Sequence, residues 1–484
     1  MYEAFTTSGP VGGIRAEGVL EFRGIPFAGP IGGAARFRAA TPPPPWTTTY
    51  PAVTWPRMAP QPWGDMSREL ATYHGLLFGE PYETSATEDG LYLNLWTPAA
   101  DDARRPVMVW LHGGGFFFGQ PTRRRENGRM LSAAEDVVVV APSHRLGLLG
   151  YLDTRETLGG DANVGLRDII LALHWVRDNI AAFGGDPDNV TIFGESGGGM
   201  KVAALLAVPS AAGLFHKAVC QSHVMPLPGV PGGLGTRASR AVLDAVLDVV
   251  GDPRTLLDRP AAELALIAPP AHLGWQPVLD DETLPIPVAD ALAAGASAEV
   301  PLLLGTNADE ARVLHHGRMP STTAELAGVL PAPAPVVRHY VGDAPAGTGL
   351  FHRAAERALT DGEVRIPAIG FAGLKASAGA ASVFMYVLRW RNPARPDIGA
   401  GHGVETPMVF GTVDAVPALR DEPSAYVLSA GMRAAWAAFA RDGVPTVGGL
   451  PWPAYTVSRR DTVIWDVPPS VESDPGGDDR RAWS

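Results

Sequence analysis

The string Gly194-Glu195-Ser196-Gly197-Gly198 places a serine in a GxSxG pattern, directly after the apolar run Val190-Thr191-Ile192-Phe193 and before a helix-compatible segment. A serine hydroxyl is a weak nucleophile unless the backbone holds it exposed beside a base, and a sharp strand-to-helix turn does this. Glycines tolerate the tight backbone, and the N-terminus of the following helix favours negative charge developing nearby. The chemistry of such a serine is acyl transfer, whose tetrahedral oxyanion needs converging backbone N–H groups. His112-Gly113-Gly114-Gly115 offers them: residues without side chains let the backbone approach closely, and the loop lies upstream of the serine as the elbow arrangement requires. His112 itself reads as a structural member of that loop.

An acid and a base complete the set, and behind an elbow serine they follow in the order Asp/Glu, then His. The histidines after Ser196 are His216, His223, His272, His315, His316, His339, His352 and His402. His402 stands apart because Gly401-His402-Gly403 sets it in a glycine-flanked loop beyond a strand candidate, where a base can reach a site. For the acid, Gly305-Thr306-Asn307-Ala308-Asp309-Glu310 follows the apolar run 300–304, and spacing does not separate Asp309 from Glu310.

These residues need a scaffold that brings strand ends together. The continuous apolar runs Val107-Met108-Val109-Trp110-Leu111 and Val137-Val138-Val139-Val140 suit strands buried on both faces of a parallel sheet. Between Gly165 and Ala181, Leu166, Ile169, Ile170, Leu173, Val176 and Ile180 recur at helical spacing, and Gly184-Gly185-Asp186-Pro187 ends the helix before the next strand. Further strands are expected at 300–304, 382–388 and 462–465, with helices at 238–249 and 428–441. The stretch 319–348, rich in proline, alanine and glycine, reads as a surface excursion. With no internal repeat and no charge-rich linker, residues 1–484 are expected to form one α/β domain with large insertions.

Composition narrows the function classes. Of 484 residues, 46% are hydrophobic and 19% charged, enough to bury a sizeable core. The net charge of −12 has the wrong sign for a partner such as nucleic acid or an anionic membrane. One cysteine, Cys220, excludes an intramolecular disulfide framework and any CxxC zinc site, and neither HExxH nor GxxxxGK[ST] occurs. The N-terminal residues lack a basic-then-apolar leader pattern, and no apolar run reaches the roughly 18 residues of a membrane helix. The expectation is a cytoplasmic protein that needs no cofactor and no metal, and a monomer is compatible with it.

With these motifs in hand, the chain resembles the type-B carboxylesterases, the cholinesterase and para-nitrobenzyl esterase family, nearly end to end. Phe22-Arg23-Gly24-Ile25-Pro26-Phe27-Ala28 with Arg36-Phe37 is similar to the family's opening block, and Glu88-Asp89-Gly90-Leu91-Tyr92-Leu93-Asn94 to its EDCLYLN signature. Asn163-Val164-Gly165-Leu166-Arg167-Asp168, Trp175-Val176, Asn179-Ile180, Phe183 to Pro187 and Val190 to Ser196 resemble its most diagnostic block. Gly305-Thr306-Asn307 with Asp309-Glu310, and His402-Gly403-Val404-Glu405 with Phe410-Gly411, complete the pattern.

The resemblance implies an α/β-hydrolase fold, with a central, mostly parallel sheet flanked by helices and large helical insertions. It implies a serine carboxylic-ester hydrolase acting through an acyl-serine on small uncharged esters. By the same matching, Ser196 is the nucleophile, His402 the base and Glu310, not Asp309, the acid. The oxyanion donors match the amides of Gly114, Gly115 and Gly197, the last being alanine in many relatives. Glu195 is implied as a buried supporting acid and Ser222 as a hydroxyl near Glu310 and His402. Phe116, Phe117 and Phe118 are expected to wall the gorge, and His223 to face the acyl pocket. Rival readings are a lipase or amidase with the same triad, and a non-catalytic binding member of the fold; the latter class loses the nucleophile or histidine that this chain retains.

Departures from the family pattern bear on substrate and compartment. Gly90 replaces the cysteine of a disulfide found in secreted members, which suits a reducing compartment. No tryptophan lies between Glu80 and Thr84, where cholinesterases place their choline-binding indole, and Ala311-Arg312-Val313-Leu314 follows the acid instead of an aromatic pair. A quaternary ammonium therefore lacks its cation–π cage. Ser143-His144-Arg145 stands for the usual Asn-Tyr-Arg.

Overall fold

Seven parallel strands form the centre of the computed structural model, which describes residues 2–62, 68–83, 85–225, 233–330, 332–448 and 452–484. They are β1 (Arg105–Leu111), β2 (Val138–Pro142), β3 (Gly185–Glu195), β4 (Lys217–Gln221), β5 (Leu302–Asn307), β6 (Val383–Leu388) and β7 (Asp461–Trp465). Their order is β2-β1-β3-β4-β5-β6-β7, and each neighbouring pair is parallel. Antiparallel strands Tyr92–Thr97, Val19–Pro26, Gly9–Ala16 and Tyr2–Thr6 extend the β2 edge in turn, and Ser470–Ser473 pairs with β7. With the short Tyr50–Pro51, the sheet has 13 strands. The architecture is that of an α/β-hydrolase.

The apolar runs become strands because successive residues feed opposite faces. Val107, Val109 and Leu111 of β1 pack into one core, while Met108 and Trp110 pack into the other. The same alternation places Leu302 and Leu304 of β5 on the first side and Leu303 on the second. Helix Val164–Asn179 covers the first face through Leu166, Ile169, Leu173 and Val176; helix Pro423–Asp442 covers the second through Leu428, Met432, Trp436 and Phe439. Truncating the fully buried Trp436 to alanine is expected to cost about 3–5 kcal/mol.

Two expectations need correction. The stretch 319–348 is not a plain surface excursion: helices Thr323–Val329 and Ala334–Val341 pack Leu326, Val336, Val337 and Tyr340 against Phe351 and Leu359 as a third core (Pro331 lies outside the described residues). Proline here starts helices rather than preventing them, since Pro335 sits in the first turn, where its missing N–H costs nothing. The antiparallel strands near the N-terminus and β4 also went unread, because polar residues, and glycines in Gly9–Ala16 and Val19–Pro26, interrupt an apolar run.

Candidate active site

Every catalytic candidate lies just beyond the carboxyl end of a parallel strand. β1 ends at Leu111, before His112; β3 at Glu195, before Ser196; β4 at Gln221, before Ser222; β5 at Asn307, three residues before Glu310. His402 arrives on the long loop after β6. A parallel sheet gathers these ends on one edge, where ligands bind in open α/β folds.

Ser196 occupies φ 57°, ψ −125°, at the N-cap of helix Gly197–Leu205. A non-glycine residue in such a region stores about 1–3 kcal/mol of strain, which the surroundings must over-determine. They do so through the Ser196 N–H, which donates to Gln221 O at 2.8 Å, and through Met200 N–H, which donates to Ser196 O at 3.1 Å. Glycine is required beside it: a Cβ on Gly194 would lie 2.5 Å from Gly198 C, and one on Gly198 would lie 2.0 Å from Leu111 O.

His402 is buried, and its Nδ1–H donates to Glu310 Oε2 at 2.6 Å. The other oxygen of Glu310 accepts the Asn307 N–H at 2.6 Å. Asp309 points elsewhere, held by Arg391 at 2.7 and 2.8 Å and by the Ala400 N–H at 2.8 Å. Adjacent residues at a helix start diverge, so one carboxylate meets the imidazole and the other an arginine.

On the opposite side of the ring, Nε2 lies 3.2 Å from Oε1 of buried Glu195, and neither atom has a hydrogen-bond partner among the described residues. Burial by itself lowers the His402 pKa, but the fields of Glu195, Glu310 and Glu405 and the Glu310 hydrogen bond outweigh it, raising the value to about 9. Glu195 in turn is raised by burial, against the pull of His402 and of Arg125, whose Nη2 is 3.8 Å away.

Ser222 was read as a neighbour of Glu310 and His402, while Glu405 and Arg125 escaped sequence reasoning as participants. Ser222 does not touch Glu310 or His402 through a hydrogen bond; its Oγ donates to Glu405 Oε1 at 3.0 Å. Glu405, fully buried, also accepts Asn307 Nδ2 at 2.6 Å, and burial with the neighbouring Glu195 and Glu310 raises its pKa to about 7. Its place three residues after His402 was the available signal. Arg125 joins the two halves, donating from Nη1 to Gly403 O at 3.0 Å and lying 4.4 Å above the Phe78 ring. Nothing in its sequence neighbourhood distinguishes it.

A cavity of about 530 Å³ opens onto these groups, lined by Gly113, Gly114, Gly115, Glu195, Ser196 and His402. Phe117 and Phe118 line it, with Met200, Val313, Leu314 and His223. Phe116 does not. Its ring is buried against Tyr151 at 4.9 Å, because its backbone has already turned to accept the Gly147 N–H. His223 sits 5.7 Å from the His402 ring, edge to face, and its Nδ1 contacts Ser222 O. Two rings outside the stretches read for a choline cage, Tyr73 and Phe78, both on helix Arg68–Phe78, also line the cavity. Tyr82, by contrast, stacks on Trp55 at 4.4 Å (Thr84 lies outside the described residues).

Gly114 and Gly115 have φ of 94° and 63°, and both face the cavity. Gly197 abuts them so closely that a Cβ there would lie 2.2 Å from Gly115 N. Gly115 and Gly197 therefore pack backbone against backbone, with Gly114 next in the chain. No group of three or more His, Cys, Asp or Glu side chains that could hold a metal ion occurs among the described residues.

A family model described as the carboxylesterase family matches residues 3–326 and 334–475. The chain is 35% identical over 500 residues to the para-nitrobenzyl esterase of Bacillus subtilis (strain 168), covering 98% of this chain and 97% of that one. It is 33% identical over 468 residues to the cocaine esterase of Homo sapiens, covering 90% and 82%. Among solved structures, a PNB esterase superposes with a TM-score of 0.87 at 32% identity, covering 100% of this chain and 99% of that one. A Geobacillus stearothermophilus carboxylesterase superposes with a TM-score of 0.86 at 32% identity, covering all of both chains.

Proposed function

The chain belongs to the carboxylesterase family and is a serine carboxylic-ester hydrolase; on that basis we propose that Ser196, His402 and Glu310 carry the reaction. The observation that supports this most is the 2.6 Å bond from His402 Nδ1–H to Glu310 on the wall of the cavity that Ser196 also lines. Glu310 holds the imidazole with Nδ1 protonated, so Nε2 is the nitrogen that receives the Ser196 proton as Oγ attacks the ester carbonyl. The oxyanion forms against the amides of Gly114, Gly115 and Gly197. The C–O bond to the alcohol then breaks, and the alcohol leaves with the proton from His402. A water that gives its proton to His402 attacks the acyl-serine, releasing the carboxylic acid and restoring the serine hydroxyl.

The substrates are small esters, and uncharged ones are preferred over cationic ones, since Arg123, Arg125 and Arg318 line the cavity. Glu195 and Ser222 act through neighbours, Glu195 beside Nε2 and Ser222 through Glu405. Residues 1–484 serve as one domain. A cytoplasmic location goes with this reading, supported by the single, buried Cys220. No helix among the described residues is long and apolar enough to cross a membrane.

The test is covalent. An organophosphonate should modify Ser196, located by peptide mapping, and Ser196→Ala should lower kcat by about 10⁴–10⁶-fold on p-nitrophenyl esters. A Ser196→Ala protein with wild-type turnover would overturn the assignment.

A further inference from the structure

Lysine is scarce in this chain, occurring only at 201, 217 and 375, yet Lys201 is fully buried behind the glycine loop. It interrupts the apolar helix segment after Met200 and lies in the fields of Glu126 and Glu195. Its Nζ donates to His112 O at 2.9 Å and to Gly115 O at 2.8 Å. Those two carbonyls bracket the loop.

The remaining carbonyls of the loop are also accounted for. His112 Nδ1–H donates to Gly113 O at 2.9 Å, with the ring stacked on His144 at 4.5 Å, and Phe118 N–H donates to Gly114 O at 3.1 Å. A peptide plane whose carbonyl is held has its N–H direction fixed. Lys201 therefore sets the two ends of the segment that carries the amides of Gly114 and Gly115. The absent side chain at 197 is the complementary feature: Gly115 Cα occupies space 2.4 Å from where a Cβ on Gly197 would be.

We infer that Lys201 is a positioning residue for ester hydrolysis, drawing the 112–115 loop onto the start of helix Gly197–Leu205 so that its amides converge on the oxyanion. This deepens the proposed function and rests on its assignment of those amides. Packing alone does not account for a lysine here: its Nζ lies 5.5 Å from the Phe116 ring centroid, a contact an apolar side chain would also make, whereas the two loop carbonyls need a buried donor. Burial pushes the Lys201 pKa down to about 7 against the fields of Glu126 and Glu195, with His112 and His144 held neutral beside it. A neutral amine still has two N–H groups, one for each carbonyl, so the clamp persists across neutral pH.

Lys201→Met separates these roles. The expected result is a folded protein with a lowered thermal midpoint, since two buried carbonyls lose their donor. Its kcat falls about 10²-fold, the scale of losing one oxyanion donor, and KM changes less than about threefold. A trifluoromethyl ketone, which forms a tetrahedral adduct with the serine, should lose affinity by the same factor as kcat. If Lys201→Met does not fold, Lys201→Gln carries the comparison, since its shorter amide reaches one carbonyl and should lose about tenfold in both quantities. Wild-type kcat, or a fall in kcat with ketone affinity unchanged, overturns the inference. Wild-type turnover in Ser196→Ala would instead remove the reading beneath it.

Discussion

Glu195 Oε1 lies 3.2 Å from Nε2 of His402, the ring nitrogen opposite the one that Glu310 holds. The imidazole is thus flanked by two carboxylates in a buried site, an arrangement that favours its protonated form over the neutral base.

The pH profile should report this. A general base works when neutral, so kcat/KM rises as His402 loses its proton, and the midpoint lies above the ordinary 6.5, toward about 9. The same shift makes the protonated ring a stabilising element, fully present below 6.5 and lost as pH rises through about 9. Glu195→Gln removes one of the raising fields and should move the kinetic midpoint downward. A midpoint at or below 6.5 in the wild-type protein, from kcat/KM measured between pH 5 and 10, would contradict the site's electrostatics.

Neighbouring carboxylates should separate cleanly. Glu310→Gln leaves Nδ1–H without its acceptor charge and should reduce kcat by about 10³–10⁴-fold. Asp309→Asn weakens the paired contact with Arg391 and should show chiefly as a lower thermal midpoint. Steady-state kinetics and calorimetry on both variants decide the matter; equal kinetic damage would mean the acid is misassigned.

Gly197→Ala is a one-carbon test of the oxyanion loop. The added methyl would lie 2.2 Å from Gly115 N and 2.3 Å from Gly115 O, backbone atoms that cannot step aside by a rotamer change. The loop must shift, and kcat should drop by at least about tenfold, as expected when an oxyanion donor is displaced. Full activity in the alanine variant would show that the loop adapts freely.

Uncharged esters should outperform choline esters of the same acyl group. Phe78 and Tyr73 are available in the cavity, but the Phe78 face is already taken by the Arg125 guanidinium at 4.4 Å. A quaternary ammonium entering there meets guanidinium groups and gains little of the roughly 0.5–2 kcal/mol that a free ring would offer. The net charge of −12 attracts cations only at long range and is screened by salt. The decisive measurement is kcat/KM for butyrylcholine against a neutral butyrate of matched leaving-group pKa; a tenfold advantage for the choline ester would refute the cavity's charge reading.

What the residues determined by themselves was local and periodic. A serine between glycines after Val190-Thr191-Ile192-Phe193 specifies an elbow, and apolar runs such as 107–111 specify doubly buried strands, because close backbone approach and alternating burial leave direct marks in sequence. The elbow at Ser196, the glycine loop upstream of it and the parallel sheet were legible for that reason. What tertiary structure decided lies between segments far apart in the chain. Asp309 and Glu310 are equivalent by spacing, and only the arrival of Arg391 on one side and His402 on the other tells them apart. Phe116 looks like its two neighbours in the chain, yet the turn of the backbone toward Gly147 sends its ring into the core. Arg125 and Lys201 had no motif to announce them, and Glu405 stood in the His402-Gly403-Val404-Glu405 string without a role. Their roles come from burial, which strips water from a charged or polar group and makes its few protein contacts decisive, and burial is a property of the folded chain.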